Sequence, residues 1–131
     1  MPKLTRELIQ KINEKCSNGW ELDIEYFLFH NEKKLYKRIE LDAENYLQFD
    51  LGYNGSNEKS LHIAKYHHEA DDYFAVSEGL GKFVKLSQAE NRKSINSLIE
   101  LTEQLTDERL MQINDNTEVY KSSIFVASQE F

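Results

Sequence analysis

His62, His67 and His68 lie close together in the chain, and Glu69, Asp71 and Asp72 follow them. Histidine and carboxylate are the usual ligands of zinc, manganese and iron. Their spacing works against a site. On a strand His67 and His68 point to opposite faces, and His62 and His68 share a face but stand roughly 20 Å apart. Neither HExxH nor a 2-His-1-carboxylate spacing occurs. The reading is a solvated polar loop, and no metal or cofactor is expected.

Two other chemistries can be weighed in the same way. Gly79-Leu80-Gly81-Lys82 resembles a fragment of a phosphate-binding loop. It lacks the third glycine of GxGxxG and the Lys-Ser/Thr ending of a P-loop. A tight turn between two short strands, Tyr73 to Ser77 and Lys82 to Leu86, accounts for it better. Cys16 falls on the apolar side of a helical pattern, whereas a catalytic thiol needs an electropositive, accessible setting. No GxSxG elbow is present. No catalytic residue is assigned.

The acidic residues carry the stronger signal. Glu21, Asp23 and Glu25 alternate with Leu22 and Ile24. On a strand they share one face about 6.8 Å apart, close to the spacing of phosphates along a nucleic-acid strand. A hairpin pairing His30 with Leu35 sets Glu25 opposite Glu40 and Asp23 opposite Asp42. Like charges directly opposite are destabilising, so a face that keeps them is a candidate binding surface. A solvated sheet face is the plainer reading. Beside it Lys33, Lys34, Lys37 and Arg38 form a basic cluster, with Phe27, Phe29 and Tyr36 close by. Basic plus aromatic residues can hold single-stranded nucleic acid. The flanking acids oppose that and favour a protein contact or pairing within the sheet.

The elements that must position these residues follow from periodicity. Leu4, Leu8, Ile9, Ile12 and Cys16 recur at helical spacing, with Thr5 as cap and Ser17-Asn18-Gly19 as stop. Trp20, Leu22, Ile24, Tyr26 and Leu28 alternate as a half-buried strand. Leu35, Ile39 and Leu41 mark a second strand, and Leu47, Phe49, Leu51 and Tyr53 a third. Asn54-Gly55-Ser56-Asn57 is the clearest turn, after which Leu61 and Ile63 return opposite Leu51 and Phe49. Ser87-Gln88-Ala89-Glu90 is a capping box for a long helix carrying Ile95, Leu98, Ile99, Thr102 and Leu105. Thr106-Asp107-Glu108 starts a further helix. Residues 117–131 suit an edge strand or a tail. The fold class is α+β: an N-terminal helix, a four- to six-stranded antiparallel meander, then a long and a short helix. The expected core is Trp20, Leu22, Ile24, Phe49, Ile63, Ile95, Leu98 and Ile99.

Bulk properties bound the function. A chain of 131 residues suits one domain. With 40% hydrophobic residues it is too apolar for a disordered chain. A net charge of −7 repels phosphate and disfavours direct nucleic-acid binding, while attracting a basic partner. A single cysteine excludes an internal disulfide and suits a reducing compartment. No apolar run approaches the ~20 residues of a membrane span, and residues 1–15 do not resemble a signal peptide. A soluble, cytoplasmic protein is expected.

These readings converge on a small acidic binding protein without enzymatic activity. It would be an inhibitor or adaptor docking on a basic protein, of the broad type that phages and mobile elements encode. Mimicry of nucleic acid toward a nucleic-acid-binding enzyme is the sharper form. The alternative is a small enzyme or ligand-binding domain with its pocket between sheet and helix.

Overall fold

The computed structural model describes residues 5–53, 58–68, 76–88 and 94–117. The first helix is where its cap predicts. Thr5 accepts from the Leu8 amide at 3.1 Å and opens α1 (Arg6–Lys15), whose Ile12 is buried and whose Leu8, Ile9 and Cys16 flank the core. The chain then turns through Asn18 and Gly19, both left-handed at φ 58° and 80°. The positive φ is what requires glycine at position 19; a Cβ there would meet only the movable Nζ end of Lys37, at 2.9 Å.

Five strands follow in sequence order as an antiparallel meander: β1 (Glu21–Leu22), β2 (Leu35–Glu40), β3 (Asn45–Tyr53), β4 (Glu58–His67) and β5 (Val76–Gln88). Phe49 pairs with Ile63 and Leu51 with Leu61, the register that the apolar phase predicts. Three helices complete the described chain: α2 (Ile24–His30) between β1 and β2, then α3 (Ile95–Leu101) and α4 (Asp107–Asn116) after the sheet.

Three expectations are corrected. The first strand ends after two residues, and α2 takes the place of its second half. Asp23 caps that helix by accepting from the Tyr26 amide at 3.0 Å, and its own amide donates to the Lys34 carbonyl at 2.7 Å. Asn31 closes the helix in the left-handed conformation at φ 54°. Side-chain capping at one end and a left-handed asparagine at the other outweigh the alternation from Trp20 to Leu28. The pairing of His30 with Leu35 therefore does not exist; Leu22 pairs with Leu35 and Glu21 with Tyr36.

The second correction lies at Gly79-Leu80-Gly81, which sits inside one continuous 13-residue strand rather than at a turn. The ladder with β4 is irregular at this stretch, with a register shift between Ala64 and Tyr66, whose partners are Gly81 and Val76. The third is the long helix. Ser87 and Gln88 end β5, and α3 begins only at Ile95 with Ser94 as its cap. Glu90 of the expected capping box, the Asn54–Asn57 turn and residues 118–131 lie outside the described residues. Thr106 does cap α4, accepting from the Arg109 amide at 3.2 Å.

Residues directly opposite in the ladders share a face. One face presents Leu22, Leu35, Leu47, Phe49, Leu51, Leu61 and Ile63, and these pack with Ile12 of α1, Leu98 and Ile99 of α3, Leu105, and Leu110 of α4 into one core. Trp20 closes it, donating its indole N–H to the Leu105 carbonyl at 2.9 Å. Buried Thr102 bolts the helical layer to the α1–β1 turn, accepting from the Ser17 amide at 2.9 Å and donating to the Ile99 carbonyl. Asn18 adds a bond to the Thr102 carbonyl at 2.8 Å. Six of the eight expected core residues are buried; Ile95 packs at the margin and Ile24, on α2, is 40% exposed.

Candidate functional site

The opposite face of the sheet carries a different chemistry. Its rows read Glu21, Tyr36, Asp50, His62 and Phe83 across five strands, then Arg38, Gln48, Ala64 and Gly81, then Glu40, Tyr46 and Tyr66. Ala64 is buried, the tyrosines are half-buried, and the face stands apart from the main core cluster. The rings are organised by contact with one another and with cations. Tyr46 stacks on Tyr66 with centroids 5.6 Å apart and planes 17° apart. The Arg38 guanidinium lies 4.8 Å from the Tyr46 centroid and 5.9 Å from that of Tyr36. Lys34 sits 3.9 Å from the centroid of Tyr26, which reaches this side from α2. A cation over an aromatic face is attracted by the ring quadrupole, and stacked rings are stiff.

Carboxylates surround the rings. Burial raises the hydroxyl pKa of Tyr26, Tyr36 and Tyr66 above the ordinary tyrosine value, and carboxylate charge raises each further: Glu32, Asp23 and Asp50 at Tyr26, Glu21 and Asp23 at Tyr36, Asp50 and Asp23 at Tyr66. Arg38 opposes this at Tyr36 and Tyr66. The local field on these three phenols is thus dominated by anions despite the arginine.

α2 also presents apolar surface to solvent. Phe27 is buried, but Leu28 is 69% and Phe29 76% exposed, and Ile24 adds to them. Ile24 and Leu28 are neighbours on the helix surface at i,i+4 spacing, as are Glu25 and Phe29. Tyr26 and His30 turn toward each other, centroids 4.5 Å apart.

The residues singled out in the sequence therefore have new settings. Glu21, Asp23 and Glu25 do not line one strand face: Glu21 is on β1, Asp23 is the α2 cap and Glu25 is on α2. Glu40 does not face Glu25 but pairs across the ladder with Tyr46 and contacts the His68 ring. Asp42 does not face Asp23; its carboxylate accepts from the Glu44 and Asn45 amides, each at 2.8 Å, and closes the β2–β3 turn. Those two amide bonds hold the Asp42 pKa below the ordinary value. The supposed like-charge pairs are not formed. The acid and aromatic residues that do come together are Glu25 with Phe29 on α2, and Tyr36 with Glu21 on the open face.

The basic cluster is dispersed. Lys37 points to the core side and pairs with Asp107 at 2.9 Å, donating also to the Asn18 carbonyl. Lys33 lies over Phe27, and Arg38 donates to the Gln48 side chain at 3.1 Å. The histidines meet single carboxylates: His62 faces Asp50 at 3.7 Å, His67 faces Glu44 at 4.0 Å and His68 faces Glu40. Among the described residues no three potential metal ligands converge; Glu69, Asp71 and Asp72 lie outside them. Burial, then Glu21, pushes the Cys16 thiol up to about 11, the opposite of an activated nucleophile.

Two clefts lie between the elements. One, of about 230 Å³, is lined by Phe27, Asn31, Glu32, Lys33, Tyr53, Ser94, Ile95 and Leu98. The other, about 200 Å³, lies between Leu41, Leu47, Ile63, Lys65, Lys82 and Asn114. Both fall below the roughly 300–1,000 Å³ of small-molecule sites.

Tyr46, Tyr66, Asp50 and Arg38 were not assigned to a common site from the sequence. The signal was available in the polar phase of β3 and β4, where Tyr46, Gln48 and Asp50 alternate with the core residues and His62, Ala64 and Tyr66 do likewise. Comparison of the chain with protein-family models, curated proteins and solved structures yields no match.

Proposed function

We propose that this protein is a non-enzymatic binding module that docks on a basic protein partner through α2 and the adjoining open face of the sheet. The observation that carries this reading is the pair Leu28 and Phe29, 69% and 76% exposed on a helix that borders a tyrosine-rich sheet face. Large side chains of this kind, gathered at one place, mark a contact surface more than isolated ones do. Tyrosine and arginine are also the residue types that carry most binding energy in interfaces. The partner's sign follows from charge. The chain has a net −7, and Glu21, Asp23, Glu25 and Glu40 stand within or beside the surface. An inhibitor or adaptor role suits such a surface. The nucleic-acid-mimic form of the idea depended on an evenly spaced acid stripe along β1; with the strand ending at Leu22, that spacing supports nothing. The clefts, smaller than ordinary ligand sites, favour this reading over a small enzyme.

The test is capture of the partner from lysate of the source cells, followed by titration calorimetry with purified components. Replacing Leu28 and Phe29 together by Ser, and separately Tyr46 by Ala, should each weaken binding by about tenfold or more, as loss of an interface anchor does. Rising salt should slow association of the unmodified protein. A partner that binds both variants with unchanged affinity uses another surface, and the proposal fails.

A further inference from the structure

Resting on that reading, we infer that Asp50 is the seat of an arginine side chain presented by the partner, held as a carboxylate–guanidinium pair beside the ring of Tyr36. Asp50 lies at the middle of β3, the middle strand of the sheet, on the open face. Tyr36 of β2 is directly opposite on one side and His62 of β4 on the other. Side chains so paired have Cβ atoms about 4.5–5.5 Å apart. Tyr36 and His62 are thus the neighbours of Asp50 along one row of the sheet.

Its own partners leave it short of both charge and hydrogen bonds. The Asp50 side chain is only 13% exposed. The Gln48 amide donates to one oxygen at 3.1 Å, and the His62 Nδ1 stands 3.7 Å from the other, beyond a normal hydrogen bond. Among the described residues neither Arg38 nor Lys34 pairs with it within 4 Å; both are committed to ring faces. An ionised carboxylate can accept about four hydrogen bonds. Withdrawing one from water with so few partners is costly. Its charge adds to the burial that raises the Tyr66 and Tyr26 hydroxyl pKa values.

A guanidinium answers each of these deficits. Its planar fork donates two parallel bonds to one carboxylate, and its face stacks on an aromatic ring. Rings of this face already attract cations, since Arg38 lies 4.8 Å from the Tyr46 centroid and 5.9 Å from that of Tyr36, and Lys34 lies 3.9 Å from that of Tyr26. An ammonium would supply the charge but neither the fork nor the stacking plane, so arginine is favoured over lysine.

The probe is the capped tripeptide acetyl-Gly-Arg-Gly-amide, titrated into the ¹⁵N-labelled full chain by NMR. Saturable shifts are expected at the Asp50 and His62 amides and the Tyr36 ring, with the lysine tripeptide weaker by about threefold or more. Asp50→Asn keeps the shape and removes the charge, and should abolish saturation. Tyr36→Leu should weaken it severalfold while leaving Asp50 in place. Shifts that never saturate in the unmodified protein, or that persist unchanged in Asp50→Asn, overturn the site. The broader surface is judged separately, by the partner titration on the Leu28, Phe29 and Tyr46 variants. Loss of partner binding there together with an inert Asp50→Asn would refute the arginine seat alone.

Discussion

The two faces of one sheet differ in what holds their side chains still. On the helix-covered face Phe49, Leu51, Leu61 and Ile63 are fixed by close packing against Leu98, Ile99 and Leu110. On the other, Tyr36, Tyr46 and Tyr66 are fixed by Arg38, by each other and by neighbouring carboxylates. Packing is dense and intolerant of gaps. Ring stacks and cation contacts hold a surface in shape without burying it, which leaves its free energy available to a partner. The difference separates the face that stores stability from the face proposed for binding, and strand neighbours such as Phe49 and Asp50 fall on opposite sides of it.

The largest test of that division is Phe49→Ala against Tyr66→Ala. Phe49→Ala should cost about 3–5 kcal/mol of unfolding free energy, the usual loss for a packed aromatic. Tyr66→Ala should cost about 1–2 kcal/mol, for half a ring's burial and one stack. Urea denaturation measures both, and equal losses would show that the second face is also core. Thr102→Val comes next. It keeps the volume and strands the Ser17 amide at a part-buried site, for a loss of about 1–3 kcal/mol. An unchanged transition midpoint would mean that the bolt between turn and helices is dispensable.

The comparison sharpens at α2. Changing Leu28 and Phe29 to Ser should move stability by no more than about 0.5 kcal/mol, because both are exposed. The same change is expected to weaken partner binding. A large drop in melting temperature would instead tie these side chains into the fold.

The smallest effect is a pH dependence that the two sides share. Cys16 beside the core is raised from 9.0 to about 11, and Tyr26, Tyr36 and Tyr66 of the open face are also raised. A group whose folded pKa exceeds its unfolded pKa contributes stability below the unfolded value and loses it as pH rises through the folded one. The Cys16 contribution is therefore complete below pH 9 and lost toward pH 11. Denaturation curves for the unmodified protein and Cys16→Ala should show a shallower alkaline loss in the variant. Parallel curves would place the whole alkaline effect on the tyrosines.

Much of this molecule was legible without a structure. Thr5 and Thr106 announced helices α1 and α4, because a capping hydroxyl and the amide it satisfies lie within three residues of each other. The pairing of β3 with β4 followed from two apolar phases that must share one face. What misled was the alternation from Trp20 to Leu28. Period two reports which side chains are buried, and over so short a run two turns of helix can mimic it.

The amino-acid sequence by itself determined the α+β composition, the inward phase of β3 and β4, the acidic charge and the caps of α1 and α4. Each depends on residues near one another in the chain or on a pattern summed along it. Only the tertiary structure decided that α2 replaces the end of β1, because that choice also rests on the Asp23 amide finding the Lys34 carbonyl and on Phe27 finding cover. It decided that Gly79 to Gly81 run within a strand, where Gly81 pairs with Ala64 of β4. It also divided the basic cluster, sending Lys37 to Asp107 and leaving Arg38 over tyrosine. Side chains adjacent in sequence on a strand point to opposite faces, and what each then meets comes from elsewhere in the chain.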